Sequence, residues 1–289
     1  MSKTVLGLVI ALCVMVVALA SCSAPEPGQT APRGEEAAAD TSAARDELVS
    51  EWLELAKTST REDPKIAETS EVAGKLAGLG WAAFGPLMDV MADPQSDPAT
   101  KVLASLSIRE HLTVEMIPRI IEMTQEGNDA TTRACATDVL GFMREESAQK
   151  RLAELRDAPD RRVRFLAYRG LVFQDVQNAQ AREDLQKLWR QPDATPEERG
   201  HIVLALINGP ALDSVWLLKE AVQDQKIAAQ ARLLAVRMLG RVGDKDCIEA
   251  LTSCLEKEPN EEVRAATENA IASIKERPEG SGVLTLPIS

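Results

Sequence analysis

The 289 residues carry 45 Asp and Glu against 33 Lys and Arg, a formal net charge of −12. Charges so acidic in balance, and interleaved rather than blocked, exclude a binder of nucleic-acid phosphates, which calls for clustered Lys and Arg. Aromatic residues make up only 3%, few for a globular enzyme of this length but enough for stacked Ala- and Leu-rich helices.

The chain opens with Lys3 and then an apolar run from Val5 to Ala20, the basic start and apolar middle of a secretory signal. The run ends in Leu19-Ala20-Ser21-Cys22, which resembles the lipobox of bacterial lipoproteins. That resemblance implies cleavage after residue 21 and a diacylglycerol thioether on Cys22, which anchors the protein to a membrane. Loss of residues 1–21 removes Lys3 and no acid, taking the charge from −12 to −13. Ser23, standing where Asp would retain a lipoprotein at the inner membrane, implies the outer membrane in a double-membraned bacterium, with the body facing the periplasm or cell surface.

Residues 22–44 are rich in Ala, Pro, Glu, Gly and Thr without apolar periodicity, and read as a flexible tether. From Arg45, the spacing of Leu48, Trp52 and Leu55 predicts an amphipathic helix that caps the stack of helices after it. A degenerate unit is expected over Ile66–Ala92, with Gly85-Pro86-Leu87-Met88 opening a helix.

Beyond it lies a repeat. Lys101, Arg133, Arg164, Arg199, Arg232 and Arg264 succeed one another at intervals of 32, 31, 35, 33 and 32 residues. Three positions after each stand Ala104, Ala136, Ala167, Ile202, Ala235 and Thr267; seven after stand Ile108, Leu140, Leu171, Leu206, Leu239 and Ile271. Four positions before the basic residue come Asp97, Asp129, Asp160, Thr195 and Asn260, side chains suited to cap a helix, with Ala228 the exception. Pro98 and Pro196 then occupy the first helical position. A second helix set is read between these from Ile117-Ile120-Ile121, Leu152-Leu155, Leu185-Leu188, Val215-Leu218-Val222 and Ile248-Leu251-Leu255. Each repeat is therefore two antiparallel helices that cannot bury their apolar faces alone and must stack. Residues 276–289 read as a C-terminal tail that either folds back on the last helix or stays disordered.

The segments Asp160–Ala167 and Asn260–Ala266, together with the helix end at Val242-Gly243-Asp244, resemble HEAT repeats of the short bacterial kind. The resemblance spans roughly residues 64–275 and implies an all-α, right-handed α-solenoid, with the body running over 45–275. It also implies that Arg133, Arg164, Arg199, Arg232 and Arg264 are structural, bridging to acids or carbonyls of adjacent units.

No catalytic constellation emerges, and the chain is expected to be no enzyme. His111 and His201 lack helical partners for a metal, the former reading as a helix-end residue and the latter as partly exposed. No phosphate loop, serine elbow or Cys-x-x-Cys is found, and no cofactor is implied. Cys247 and Cys254 lie seven residues apart on one helix, about 10.5 Å by helical rise, too far for a disulfide; with Cys135 they are expected as buried free thiols.

Contact with a partner is expected along the fifth position after the basic residue, which holds Leu106, Asp138, Arg169, Leu204, Arg237 and Asn269 and varies in character as an exposed stripe should. Tyr168 joins this face. Trp216, in the register position of Pro118, Lys150 and Glu249, is expected to be partly exposed, whereas Trp189 aligns with Val222 and Leu255 and should be core. The sequence thus points to a membrane-anchored scaffold for a protein or extended peptide. An envelope carrier of a small ligand or polymer, or a lyase like some HEAT-like proteins, stands as the alternative.

Overall fold

The computed structural model describes residues 35–60, 63–207 and 211–277. The signal sequence, Cys22, Asn208-Gly209-Pro210 and the tail beyond Arg277 lie outside them. The described residues form fourteen α-helices and no strand: α1 Glu35–Thr58, α2 Ile66–Ala77, α3 Gly85–Ala92, α4 Pro98–Arg109, α5 Ile117–Met123, α6 Ala130–Leu140 and α7 Glu146–Leu155. They continue as α8 Arg161–Gln174, α9 Ala179–Trp189, α10 Pro196–Leu206, α11 Val215–Gln223, α12 Ala229–Val242, α13 Cys247–Lys257 and α14 Glu261–Glu276. Short 3-10 turns over Trp81–Phe84, Val114–Met116 and Ala211–Ser214 lead into α3, α5 and α11.

Stacked helix pairs, the α-solenoid architecture, fill each of two compact units, which divide between Ala167 and Tyr168. Helices start where their caps dictate. Asp97 accepts from the amides of Ala99 and Thr100, Asp129 from Thr131 and Thr132, Asp160 from Arg162 and Val163, and Asn260 from Val263. Thr195 and Glu198 form a reciprocal capping box, and Ala228 gives no side-chain cap. Each such cap is worth about 0.5–2 kcal/mol because it satisfies amides of the first turn that have no partner within the helix.

The packing tracks the repeat. All six residues at the third position, Ala104 to Thr267, are 0% exposed. Small side chains there let neighbouring helices approach, and the aliphatic residues at the seventh position fill the space beside them; Ile271, in the last helix, is half-buried. Thr267 is the polar exception, and its hydroxyl donates to the Val263 carbonyl one turn back at 2.7 Å, which removes the cost of burying it. Trp189 is core, as aligned, and its indole N–H donates to Glu220 at 2.6 Å. Cys135, Cys247 and Cys254 are buried and unbridged.

Two boundaries depart from the sequence reading. The first helix begins at Glu35 rather than Arg45, so ten residues assigned to the tether are helical; Ala- and Glu-rich sequence has the propensity to extend a helix that packing has already nucleated. Over Ile66–Ala92, helix α2 packs on α1 and α4, α3 packs on α4, and the 3-10 turn between them touches both; Gly80, with φ of 95°, turns the chain there in a conformation that a residue with a Cβ rarely adopts. At the other end, Arg277 was assigned to the tail, yet its guanidinium donates to the carbonyls of Gly240 and Arg241 at 2.6 and 3.1 Å. It thereby closes the C-terminus of α12, where a cation is favoured.

Candidate functional site

The cations of the repeat are engaged inside each unit. In unit 1, Lys101 is buried and its ammonium reaches Asp129 at 2.5 Å and Thr132 at 2.8 Å, while Arg133 meets Asp160 at 3.4 Å. The two aspartates serve twice: Oδ1 caps their own helix and Oδ2 receives the cation of the preceding repeat. Partial burial pushes the Asp129 carboxyl up, but hydrogen bonds from Lys101 and Thr132 outweigh it and hold the group at about 2.

Unit 2 keeps the ladder although its caps have changed. Ala228 and Asn260 supply no carboxylate, and the acid comes instead from the turn before them. Asp224 takes Arg199 at 3.2 Å, and Glu258 takes the Nε and a terminal nitrogen of Arg232 at 2.8 and 2.7 Å. Arg232 also donates to the Ile227 carbonyl. Glu258 is wholly enclosed; burial alone would raise its pKa, but the paired guanidinium and the Asn260 amide lower it. Arg164 and Arg264 donate to carbonyls of their own repeats, at Ala158 and Pro159 and at Leu255 and Glu258. The bridging to an adjacent unit that the resemblance implied is therefore seen for Arg133, Arg199 and Arg232, whereas Arg164 and Arg264 bond within their own repeats; sequence reading missed the substitute acids because Asp224 and Glu258 stand off the capping position.

The expected contact stripe is not continuous. Leu106 is buried because every residue of α4 from Lys101 to Ile108 is covered, with α1 and α2 packed against it and the Trp52 indole donating to Ser107 at 3.0 Å. Asp138 is half-buried in unit 1, 3.5 Å from Arg109, whose guanidinium lies 4.6 Å above the Phe142 ring. Arg169, expected exposed, is 5% exposed. Its guanidinium sits 5.7 Å from the centre of the Phe173 ring, one turn along α8, where helical spacing brings i and i+4 together. Tyr168 and Leu204 are half-buried.

Only Arg237 and Asn269, at the same register on the packed helices α12 and α14, are exposed as expected. Arg237 reaches Glu262 at 3.1 Å across that junction, with both side chains in water. Trp216 is half-buried, and the exposed Arg190 guanidinium stacks 4.2 Å from its ring centre. His201 is buried rather than partly exposed, because α10 is enclosed along most of its length. His111 stands in the turn two residues after α4, half-buried 5.7 Å from the Phe84 ring; burial lowers its pKa, against a smaller opposing effect of Glu110. No cluster of His, Cys, Asp and Glu suited to a metal occurs among the described residues.

With this ladder in view, the match of residues 214–285 to the HEAT repeats family covers helices α11 to α14, where the buried Arg232–Glu258 pair lies. Residues 214–285 carry HEAT repeats. No curated protein matches it. Among solved structures, human deoxyhypusine hydroxylase in complex with glycerol is similar at 12% identity over 84% of this chain and 100% of that one, with a TM-score of 0.40. That protein is an enzyme, so the expectation from the sequence that this HEAT-repeat chain performs no catalysis is withdrawn. At such identity and TM-score its chemistry is not carried across either.

Proposed function

We propose that the chain is a lipid-anchored scaffold of the bacterial envelope, whose HEAT repeats hold a protein or an extended peptide at a membrane surface. The observation that carries the reading is the disposition of charge. The buried cations of the ladder are committed to carboxylates within the stack, whereas Arg237 and Asn269 repeat at one register on adjoining helices and stand in water. Exposed pairs of this kind cost little to rearrange, and a row of polar side chains on rigid helices suits an extended partner better than a small molecule. Anchoring rests on Lys3, the apolar run and Leu19-Ala20-Ser21-Cys22, read from the sequence.

Crosslinking and pull-down from native membranes tests the scaffold. A stoichiometric protein partner recovered with the parent chain should be lost with Arg237→Glu combined with Asn269→Arg, while folding is unchanged. Recovery undiminished by these changes would rule out the assignment of this face.

A further inference from the structure

Large apolar side chains are covered almost everywhere in the described residues, with two exceptions: Trp81 at 45% exposure and Val114 at 56%. Both sit in 3-10 turns that lead into the first helix of consecutive repeats. Those turns adjoin. The Phe84 and His111 rings lie 5.7 Å apart, and Arg119 donates to the Gly85 carbonyl at 3.2 Å. Around the two residues, Gly80, Ala82 and Pro118 are exposed and Leu79 and Leu112 half-buried. Gly80 adopts its positive φ immediately before Trp81, so the backbone is turned at the one place that presents the indole to solvent.

The location of this patch in unit 1 points to what covers it. Helices α1 and α2 pack together through a short turn in which the Lys65 amide donates to the Ser59 hydroxyl at 3.1 Å. The Lys75 ammonium, in the last turn of α2, has its pKa raised by Glu71 beside it and, less strongly, by Glu51 of α1. The pairing is thus antiparallel, and the end of α2 that leads into Trp81 faces the way α1 runs toward Glu35. From Glu51 back to Glu35 the helix rises about 24 Å. Between Cys22 and Glu35 the chain can span no more than about 45 Å.

We propose that Trp81 and Val114 rest on the membrane to which the chain is anchored, in the headgroup layer of a lipid bilayer. This inference rests on the lipidated Cys22 of the proposed function for its orientation. An indole has an apolar body and a polar N–H, a combination favoured at the boundary between acyl chains and water. Within Leu76–Met88 and Glu110–Pro118 the only acidic or basic residues besides His111 are Glu110 and Glu115, and the bordering Arg119 is held by Asp89 and the Gly85 carbonyl. The surface therefore suits zwitterionic lipid, and anionic lipid should weaken the contact. An acyl anchor and a shallow apolar contact together fix orientation as well as attachment, as two signals hold a protein more firmly than one.

The test uses the mature chain purified from membranes, its Cys22 acylation read by mass, in phosphatidylcholine vesicles with brominated acyl chains. Vesicle binding should blue-shift, and the bromine quench, an emission component that is missing in Trp81→Phe. A chain without acyl groups, added to the same vesicles, should partition about tenfold more weakly as Trp81→Ala, given the apolar area that residue offers, with a smaller loss for Val114→Ser. An unacylated Cys22 with Trp81 still quenched would remove the anchor and keep the bilayer contact. Trp81 emission indifferent to vesicles overturns the proposal, as does an emission shift that tracks protein concentration without lipid, which would assign the patch to a second copy of the chain.

Discussion

Glu258→Ala should destabilise unit 2 strongly for its size. It leaves the Arg232 guanidinium, 4% exposed as a residue, without either carboxylate oxygen at 2.7 and 2.8 Å. Only carbonyl acceptors remain to it, chiefly that of Ile227. Stranding one member of a buried pair costs about 3–5 kcal/mol, because the remaining charge keeps its desolvation penalty and loses its partner. Glu262→Ala removes the exposed partner of Arg237 and should cost at most about 1 kcal/mol. Replacing both buried residues, Arg232→Met with Glu258→Leu, should recover most of the loss, since apolar groups of similar volume need no compensation. Native-state amide exchange across α12 and α14 measures the opening free energy locally, which suits a stack whose repeats need not unfold together. Equal effects of Glu258→Ala and Glu262→Ala would show that burial does not set the cost of losing the acid.

Acid should loosen unit 1 through Asp129. Its folded pKa of about 2 lies below the ordinary carboxylate value, so the stability it contributes is present above pH ~4 and is lost as pH falls toward 2; Asp129→Asn should flatten that part of a pH series monitored by circular dichroism. Gly240→Ala should destabilise by about 1–3 kcal/mol in urea denaturation, because a Cβ there would stand 3.0 Å from Ala270 Cβ and 3.1 Å from its Cα, forcing α12 and α14 apart. Gly200→Ala should be neutral or stabilising, since its nearest neighbours would be at 3.7 Å and alanine favours the helix by about 0.5–1 kcal/mol. Cys135, whose thiol burial pushes up to about 11, should resist a thiol reagent in the folded chain and react once urea unfolds it.

The sequence was most legible where one chemical requirement recurs. Caps at Asp97, Asp129, Asp160, Thr195 and Asn260 could be read because an unpaired first turn demands a small oxygen-bearing side chain at one position. The buried third and seventh positions were legible for the same reason. Exposure at the fifth position was not, because it depends on what lies across the helix from elsewhere in the chain. Periodicity on α4 gives no sign that α1 and α2 pack against that helix as well, nor does α8 announce that Phe173 takes the Arg169 guanidinium. The exposed Trp81 was missed although Gly78-Leu79-Gly80-Trp81 carried a signal: closely spaced glycines before an aromatic residue mark a turn that displays it.

One register repeats through each unit, its third position sealed between helices, and the stack stands or falls with it. Replacing the native cysteines and placing a single cysteine at each of Ala104, Ala136, Ala167, Ile202, Ala235 and Thr267 reads that register directly, with Arg237→Cys and Asn269→Cys as exposed references. The six should remain unlabelled by a thiol reagent over times in which the references react completely; labelling of any of them at the reference rate, in a chain of unchanged helicity, would be incompatible with the stack.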